Sequence, residues 1–321
     1  MLVLDADDVT QLLDMPSCIR AVEAAFRARG DGRAAPSATL GFPLDGGGLH
    51  VKVASLDLTR PYVVAKVNAN FPRNPVERKL PTIQGALVLF DATCGRPLAV
   101  MDSAPLTTLR TAATTAVAAS RLARANASTV TFVGCGVQAR AHLTALCLVR
   151  RIERVFAVDD RAVAAEAFRK FAITAHGVAC SVSSSLRRAT RASEIVVTST
   201  PSERPILYFD DVSAGTFVAA VGADNEHKQE IDPELLRESV IIVDDLEQCA
   251  RIGDLHHAVA VGVVAPSYVR ASLDQVVAGT KPGRLSDDEI IVFDSTGLAL
   301  EDVSAAAVVY ERAAVGCEWR E

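Results

Sequence analysis

The stretch from Thr129 to His142 constrains the fold of this chain more than any other. Its first residues are β-branched or aromatic and lead into Val133, which is typical of a short buried strand. Gly134, Gly136 and Ala139 follow in a G-x-G-x-x-A pattern, and a helix is predicted to follow them. The first glycine of such a turn permits a tight bend, and the second lets a pyrophosphate approach the backbone. The third small residue lets the helix pack on the strand, so the pattern predicts a phosphate-binding strand–turn–helix unit.

A second predicted strand favours a dinucleotide site over an ordinary glycine turn with a solvated acid. This strand runs from Arg154 to Val158 and leads to Asp159, which lies 25 residues after Gly134. A carboxylate at that position accepts hydrogen bonds from the ribose of NAD. Asp159 would also repel the 2′-phosphate of NADP; Asp160 adds to this repulsion, and Arg161 could relieve part of it. We therefore expect NAD(H) to be preferred over NADP(H).

Composition excludes several classes of protein. The chain has 321 residues, enough for two domains and a large core. Its formal net charge is −6 and it has no basic run, so nucleic acid and anionic membranes are not expected partners. No apolar stretch is long enough to span a bilayer, and three acids within Met1 to Asp8 argue against a signal peptide.

The cysteines and histidines indicate neither a disulfide scaffold nor a metal site. The seven cysteines are scattered without a C-x-x-C pair, which predicts reduced thiols in a cytoplasmic protein. His256 and His257 have no carboxylate or cysteine at ligand spacing, so they are interpreted as loop or cap residues.

Before the glycine turn, the sequence predicts two helices, an antiparallel meander and a third helix. The first two helices are expected within Asp5 to Arg29, the second beginning near Pro16. Alternating apolar residues then predict strands at 39–42, 49–54, 62–68, 85–90 and 97–101, with a hairpin turn at Asp91 to Gly95. The alanine-rich third helix is expected at Thr107 to Ala125.

After the glycine turn, strands and helices alternate, as in a parallel, doubly wound sheet. Further strands are predicted at 178–182, 195–198, 216–221, 240–244 and 289–293, and helices at 162–175, 186–192, 233–238 and 267–278. An amphipathic helix at 298–314 is expected to close the chain and pack on the first domain. The predicted fold class is α/β, a Rossmann-type doubly wound parallel sheet with a second α+β domain.

Short motifs spread in order over nearly the whole chain are similar to those of the ornithine cyclodeaminase/mu-crystallin family. The residues that carry the resemblance are Lys66–Asn68, Pro72–Asn74, Pro81–Thr82, Met101–Asp102, Leu106–Ala113, Gly134–Ala139, Val221–Asp224, Lys228–Glu230, Phe293–Ala299 and Glu301–Asp302. The family includes archaeal-type alanine dehydrogenases and reductases of cyclic ketimines such as pyrroline-2-carboxylate. The stretch FDSTGLALEDV resembles the alanine dehydrogenase branch most.

The resemblance implies two domains, NAD as the cofactor and a homodimer. A substrate-binding and dimerisation domain would comprise residues 1–115 and 295–321, and a Rossmann domain residues 116–294. The dimer would form through the substrate domains, where the apolar meander has few helices to cover it. The residues that match the family's cofactor contacts are Gly134, Gly136, Val137, Gln138, Ala139, Asp159, Thr82, Thr200, Val221, Lys228 and Ser295.

Hydride transfer at the α-carbon of an amino acid requires that a cation hold its carboxylate in place. Two cations of this chain are candidates. Arg110 matches a family arginine and would act as a bidentate clamp; its alternative is an exposed charge on the polar face of its helix. Lys66 lies in an apolar strand, so its side chain either points to solvent on the alternate face or enters a site. The matching lysine of the family contacts substrate, which favours the second interpretation.

Asp224 is the candidate for moving a proton on the substrate amine or on water. It follows the predicted strand at 216–221, at the end where doubly wound folds bind ligands. Its counterpart in the cyclodeaminases acts as acid and base, whereas mu-crystallin has a serine there. The alternative is a cap for the segment before Ile231. An aspartate at this position favours an enzyme over a binding protein.

One departure from the family bears on the substrate. The family often has a Pro-x-Arg near the first strand of the meander, and its arginine binds the substrate carboxylate. This chain has Pro36, Ser37 and Ala38 there, without a cation. His50 and Lys52 on the next strand are candidates to replace it.

We therefore predict an NAD(H)-dependent oxidoreductase that acts on a small L-amino acid or cyclic imino acid, of the alanine dehydrogenase or ketimine reductase type. Ornithine cyclodeaminase, which makes proline and ammonia and recycles NAD, is the runner-up. It is disfavoured because no extra acid is evident among the first-domain strands to hold the distal ammonium of a diamino acid. A nicotinamide-regulated binding protein similar to mu-crystallin is the third alternative.

Overall fold

The computed structural model describes residues 1–35, 37–58 and 60–317. Pro36, in the stretch where the family arginine is missing, and residues 318–321 of the predicted substrate domain lie outside the described residues. The chain divides into two compact units. Unit 1 comprises Met1–Thr114 and the described part of Leu298–Glu321, and unit 2 comprises Thr115–Gly297.

Acidic caps begin the two N-terminal helices. Asp5 accepts hydrogen bonds from the backbone of Asp8, and Asp8 accepts one from the backbone of Asp5, which forms a capping box. Asp14 caps the next helix through the backbone N–H of Ser17. The elements up to residue 122 are β1 (Leu2–Leu4), α1 (Ala6–Leu12), α2 (Met15–Gly30), β2 (Ala38–Leu44), β3 (Gly47–Asp57), β4 (Pro61–Asn70), α3 (Asn74–Glu77), β5 (Ile83–Asp91), β6 (Pro97–Asp102) and α4 (Ser103–Leu122).

Strands and helices alternate through the rest of the chain. The elements are β7 (Thr129–Val133), α5 (Val137–Val149), β8 (Arg154–Val158), α6 (Ala162–His176), β9 (Ala179–Val182), α7 (Leu186–Arg191), β10 (Ile195–Thr198), β11 (Glu203–Leu207), β12 (Phe217–Ala220), β13 (Gln229–Ile231), α8 (Pro233–Arg237), β14 (Val240–Val243), α9 (Leu246–Ile252), α10 (Asp254–Ala260), β15 (Val269–Ser272), α11 (Leu273–Ala278), β16 (Ile291–Asp294) and α12 (Ala299–Cys317). No helix in the described part of the chain is long and apolar enough to cross a membrane.

The sheet of unit 1 is a meander with one added strand. Strands β2 to β6 pair antiparallel in sequence order, which confirms the predicted meander, and β1 pairs parallel with β6. The sequence did not predict β1, because three residues carry too short a pattern. Helix α12 packs on α2, β3 and β4, as expected for the closing helix, and covers one sheet face. Residues 299–307 are all buried, so the predicted amphipathic pattern is wrong for this half of α12.

Unit 2 is built on a parallel sheet. Among the described residues this sheet has eight strands, in the order β9-β8-β7-β10-β12-β16-β14-β15, and neighbours pair in parallel. This confirms the Rossmann-type fold class. The strand order reverses between β7 and β10, and doubly wound folds bind ligands at such a switch point, beyond the carboxyl ends of the strands.

The region from residue 246 to residue 278 differs most from the sequence prediction. The sequence predicts one helix at Ser267 to Ala278, but β15 occupies part of this segment and pairs with β14. Helix α11 begins only after Ser272, which forms a capping box with Gln275. His256 and His257 lie within α10 and not in a loop or cap, which corrects that interpretation. Sheet pairing overrides local helical periodicity here.

Candidate active site

The covered face of the unit 1 sheet changes from apolar to polar along β4. Tyr62 and Val64 are buried apolar side chains, and Lys66 follows with 2% of its surface exposed. Side chains alternate between faces with a period of two, so these three residues share one face. Lys66 therefore lies where the apolar part of this face ends.

Two acids at the start of α12 hold Lys66 and Arg110 together. Lys66 Nζ lies 2.6 Å from Asp302 Oδ2, an ion pair without a well-aligned hydrogen bond. Arg110 Nε donates to Asp302 Oδ1 at 3.0 Å, and its Nη1 donates to Glu301 Oε2 at 2.7 Å. Both acids are fully buried. Asp302 thus bridges the two cations that the sequence proposes as substrate ligands.

Burial and ion pairing act in opposite directions on these charges. Burial lowers the pKa of Lys66 to about 7, and the adjacent Asp302 carboxylate offsets part of that effect. Burial also disfavours the charge of Arg110, but Asp302 and Glu301 hold its pKa above the ordinary value. Burial raises the pKa of Asp302, whereas Lys66 and Arg110 lower it, with a net decrease. Arg110 and Asp302 are therefore ionised at neutral pH, because opposite charges compensate their burial.

The surroundings of both cations rule out the exposed alternatives. The side chain of Arg110 is 6% exposed, so it is not a solvated helix charge. Helix α4 is buried at every position from Ala112 to Ala119, so the expected long polar face of this helix is wrong. Lys66 does not point to solvent either.

Both cations keep donor capacity that the described residues do not use. Lys66 Nζ contacts Asp302 and, at 3.5 Å, Thr107 Oγ1, which leaves one of its three N–H groups. Arg110 uses Nε and Nη1 for the acids, and its Nη2 has no hydrogen-bond partner among the described residues. A ligand carboxylate suits this arrangement because its two oxygens can accept from both cations.

The glycine turn of unit 2 leaves room for an anion at the start of α5. Gly134 has a φ of +88°, and a Cβ built there would lie 2.7 Å from the backbone oxygen of Ser199, so the position requires glycine. Gly136 precedes α5 without a side-chain cap, and among the described residues no heavy atom beyond its chain neighbours lies within 4 Å of the place a Cβ would take. The first turn of α5 thus offers uncapped backbone N–H groups beside an open space, which fits a pyrophosphate.

The next three residues divide between solvent and core. Val137 is 69% exposed, and Ala139 is fully buried, as the packing of helix on strand requires. The backbone oxygen of Gln138 accepts a hydrogen bond from His142 Nδ1 at 2.8 Å. The buried side-chain Oε1 of Gln138 has no hydrogen-bond partner among the described residues and remains an acceptor for a ligand.

Asp159 ties the end of β8 to the glycine turn. Its Oδ2 accepts from the backbone N–H of Cys135 at 2.8 Å, and its Oδ1 from that of Arg161 at 2.9 Å. Burial raises the pKa of Asp159, but these hydrogen bonds outweigh it and the net shift is downward. The ionised oxygens can each accept a further hydrogen bond, as ribose hydroxyls require. The neighbouring Asp160 side chain is 95% exposed.

Three other predicted cofactor residues follow the carboxyl ends of neighbouring strands. Thr200 follows β10, Val221 follows β12 and Ser295 follows β16. Backbone hydrogen bonds join two of them to the adjacent strand, from Val221 to Thr198 at 3.1 Å and from Ser295 to Ala220 at 3.0 Å. The structure thus lines them up along one edge of the sheet.

Buried acids occupy the hydroxyl donors at this edge. Glu230 accepts from Thr200 Oγ1 at 2.8 Å and from the backbone N–H groups of Thr200 and Gly222 at 2.6 and 2.8 Å. Burial raises the pKa of Glu230, and these hydrogen bonds oppose the shift. Ser295 Oγ donates to Asp244 Oδ2 at 3.2 Å. The hydroxyls of Thr200 and Ser295 can therefore face a ligand only as acceptors.

Asp224 and Lys228 form an ion pair on the segment after β12. Lys228 Nζ lies 2.8 Å from Asp224 Oδ1, and the two side chains are 20% and 43% exposed. His257 Nε2 donates to the backbone oxygen of Lys228 at 2.9 Å and holds this segment. The predicted proton-transfer group, Asp224, is therefore accessible and lies beside the cation of Lys228.

Thr82, the remaining predicted cofactor residue, lies in unit 1. Its backbone oxygen accepts a hydrogen bond from the backbone N–H of Phe71 at 2.8 Å.

Three buried acids hold the site residues in place, although the sequence did not predict a role for them. Asp302 and Glu301 hold the cations of unit 1, and Glu230 holds two strand ends of unit 2. The signal in the sequence is a pair of acids inside the apolar stretch from Leu298 to Val309, because acids are almost never buried unpaired. The described residues contain no cluster of three His, Cys, Asp or Glu side chains that could hold a metal ion.

A Rossmann-type unit and a meander unit with a buried cation–carboxylate cluster together define the class of this protein. The class is that of two-unit proteins in which one unit is a Rossmann-type dinucleotide-binding unit. The chain belongs to the ornithine cyclodeaminase/mu-crystallin family, whose profile matches residues 1–316.

Solved structures similar to this chain bind nicotinamide cofactors. An archaeal alanine dehydrogenase dimer with bound NAD is 40% identical, with a TM-score of 0.94 over 98% of this chain and 97% of that one. Δ1-pyrroline-2-carboxylate reductase of Thermococcus litoralis, in complex with NADH and L-proline, is 30% identical, with a TM-score of 0.94 over 98% of each chain. Iminosuccinate reductase of Paracoccus denitrificans with NAD+ is 29% identical, with a TM-score of 0.90 over 98% and 97% of the two chains.

Proposed function

We propose that this chain is an NAD(H)-dependent oxidoreductase that acts at the α-carbon of a small amino or imino acid. One observation carries the proposal: Asp302 bridges Lys66 and Arg110, which leaves donors of two fixed cations for one carboxylate. The similar structures are an alanine dehydrogenase and reductases of pyrroline-2-carboxylate and iminosuccinate, so all act on this class of compound.

NAD is the cofactor that unit 2 fits, and when bound its nicotinamide supplies or accepts the hydride. The open space at Gly136 and the uncapped start of α5 suit the pyrophosphate, and Asp159 suits the ribose. The other proposed cofactor contacts are Gly134, Val137, Gln138, Ala139, Thr200, Val221, Ser295, Lys228 and Thr82.

The residues of the chain divide the remaining work between binding and proton transfer. Lys66 and Arg110 bind the substrate carboxylate, and Asp302 and Glu301 keep these cations in place. Asp224 takes a proton from the substrate nitrogen or from water during oxidation and returns it during reduction. Lys228 Nζ, 2.8 Å from Asp224 Oδ1, holds one oxygen of this carboxylate.

We further propose that the chain forms a homodimer through unit 1; the archaeal alanine dehydrogenase is also a dimer. The sheet face opposite α12 presents the neighbours Leu40, Val51 and Val67, followed by Phe42. Leu40, Phe42 and Val67 are 61%, 57% and 40% exposed, and such a continuous apolar face marks an interface. We expect light scattering at micromolar concentration to give the mass of a dimer, and Phe42→Glu to shift it toward the monomer. A monomeric wild-type chain would contradict the proposal.

We also propose a cytoplasmic location. The cysteines at positions 18, 94, 135, 147, 180 and 249 are all free thiols, which suits a reducing compartment.

Turnover with a panel of amino and imino acids tests the proposed activity. Oxidation of alanine or reduction of pyrroline-2-carboxylate should change the NADH absorbance one-for-one with product. Ornithine cyclodeamination would release ammonia and form proline without a net change in NADH. If only ornithine reacts, at constant NADH, cyclodeamination is the function. If nothing reacts while NAD(H) still binds, a binding protein similar to mu-crystallin is the better description.

A further inference from the structure

A second lysine lies beside the cation cluster of unit 1. Lys52 on β3 is the direct cross-strand neighbour of Lys66 on β4. Directly opposite residues on one face have Cβ atoms about 5 Å apart, and like charges placed so are destabilising unless something compensates them. The charge of Lys52 lowers the pKa of both Lys66 and Asp302, so its ammonium belongs to the same cluster.

The cations of this cluster differ in exposure. Lys66 and Arg110 are 2% and 5% exposed and form the floor of the cluster. Lys52 is half-buried, and so is His50, which lies two residues away on the same face. A ligand held by Lys66 and Arg110 therefore also lies near Lys52.

Two polar side chains lie next to Lys52 and Lys66 on this sheet face. His50 pairs across the strands with Asn68, and Asn68 Oδ1 accepts a hydrogen bond from Ser103 Oγ at 2.6 Å. A methyl group or a pyrroline ring is ordinarily lined by apolar side chains. These two side chains suit a polar, negatively charged substrate side chain better.

We propose that Lys52 binds a second carboxylate, carried by the side chain of the substrate, so that the site takes amino- and iminodicarboxylic acids of the aspartate type. The proposal rests on the proposed function, in which Lys66 and Arg110 hold the α-carboxylate. Only two bonded carbon atoms separate the carboxyl groups of aspartate, a spacing that suits cross-strand neighbours about 5 Å apart.

The reaction balances without any further reactant. The imine carbon of iminosuccinate accepts a hydride from NADH, and the C=N double bond becomes a single bond. The nitrogen takes up one proton from the carboxyl group of Asp224, the proposed proton-transfer residue. The products are aspartate and NAD+, and the reverse reaction returns the hydride and the proton.

The competing role for Lys52 is to bind the α-carboxylate in place of the missing family arginine. In that case its charge would matter equally for every substrate. A substitution that removes the charge separates the two roles, because only the proposed role affects dicarboxylic substrates selectively.

The experiment compares three reductions by NADH: oxaloacetate with ammonia, which forms iminosuccinate; pyruvate with ammonia; and pyrroline-2-carboxylate. Wild-type kcat/KM should be at least about tenfold higher for the dicarboxylic substrate. Lys52→Met should lower that value by about 30-fold or more, chiefly through KM, and change the other two by less than about threefold. Lys52→Arg should restore part of the loss, because it restores the charge. Lys170→Met, at an exposed position on α6, is the matched control and should change none of them.

Each other result overturns the proposal in a recognisable way. Equal losses for all three substrates in Lys52→Met would assign Lys52 to the α-carboxylate. Unchanged kinetics in that variant would remove Lys52 from the site. Turnover of pyruvate or pyrroline-2-carboxylate without turnover of iminosuccinate would overturn the dicarboxylic specificity alone. No turnover of any of the three would overturn the proposed function together with it.

Discussion

The two units hold their candidate sites in opposite ways. In unit 1, side chains hold side chains: the Asp302 carboxylate joins Lys66 to Arg110. In unit 2, buried or half-buried carboxylates hold the backbone: Asp159 accepts from the glycine turn, and Glu230 accepts from the residues that follow two strands.

This difference determines how each site responds to damage. Removing one partner of a buried ion pair leaves an uncompensated charge, which is costly. Removing a carboxylate from a backbone N–H leaves a neutral donor, which costs less. Changes in the unit 1 cluster should therefore reduce stability and activity together, whereas the exposed functional group of unit 2 should affect activity alone.

The largest expected effect is that of Asp302→Ala. It strands two buried cations, so we expect the free energy of unfolding to fall by about 3–5 kcal/mol and turnover to be lost. Urea denaturation and a turnover assay measure the two effects. Asp31→Ala is the matched control, because it breaks the exposed ion pair with Arg33, and it should cost less than about 1 kcal/mol. Similar small losses in both variants would show that the cluster contributes little.

Asp224→Ala should separate activity from stability in unit 2. We expect kcat to fall by about 10²–10⁴-fold, because a proton-transfer group is lost, while the free energy of unfolding changes by less than about 0.5 kcal/mol. Titration with NAD should show that cofactor binding persists. Lys66→Ala and Arg110→Ala should also lose activity, and both should reduce stability as well. Near-normal turnover in all three variants would refute the site assignment.

A buried histidine should make the stability of unit 2 depend on pH. His142 Nδ1 donates to Gln138, and its Nε2 accepts from Thr115 Oγ1 at 3.0 Å, so the neutral ring suits its site. Burial lowers the pKa of His142 from 6.5 to about 4. Below pH 6.5 the unfolded chain takes up a proton that the folded chain does not, so this group's contribution to stability falls by about 3 kcal/mol between pH 7 and pH 4.

Comparison with His142→Gln isolates this contribution. The stability difference between wild type and variant should shrink by that amount on acidification, as measured by urea denaturation at each pH. Burial raises the pKa of Asp294 to about 7, so the contribution of this buried acid to stability rises on acidification. That contribution is the same in wild type and variant, and it therefore cancels in the comparison. If the stability difference between wild type and His142→Gln did not change with pH, His142 would be solvated and not buried.

The smallest expected effect concerns cofactor choice. NAD(H) should bind at least about tenfold more tightly than NADP(H), because Asp159 accepts from ribose hydroxyls and repels a 2′-phosphate. Asp159→Asn should reduce this preference while keeping an acceptor for the Cys135 N–H. Fluorescence titration with both reduced cofactors measures the ratio. Tight NADP(H) binding with weak NAD(H) binding in the wild type would contradict the assignment.

The sequence by itself determined seven of the eight strands that the described residues form in the parallel sheet of unit 2, all but β15, and the nature of its glycine turn. Gly134, Gly136 and Ala139 have roles that follow from backbone geometry within six residues, and the buried strands around them are short apolar runs. Such features depend on neighbours along the chain, so a local pattern is sufficient to predict them. The strands of the meander were predictable for the same reason.

Only the tertiary structure decided how the cluster of unit 1 is built. Asp302 lies 192 residues beyond Arg110, and their contact exists because α12 returns to the sheet that α4 follows. The position of Lys52 opposite Lys66 likewise depends on the register of β3 and β4. The helix predicted across β15 failed because pairing with β14 overrode local propensity. The pair of acids in the apolar start of α12 indicates that buried partners exist, but the distant residues that pair with them are decided only by the tertiary structure.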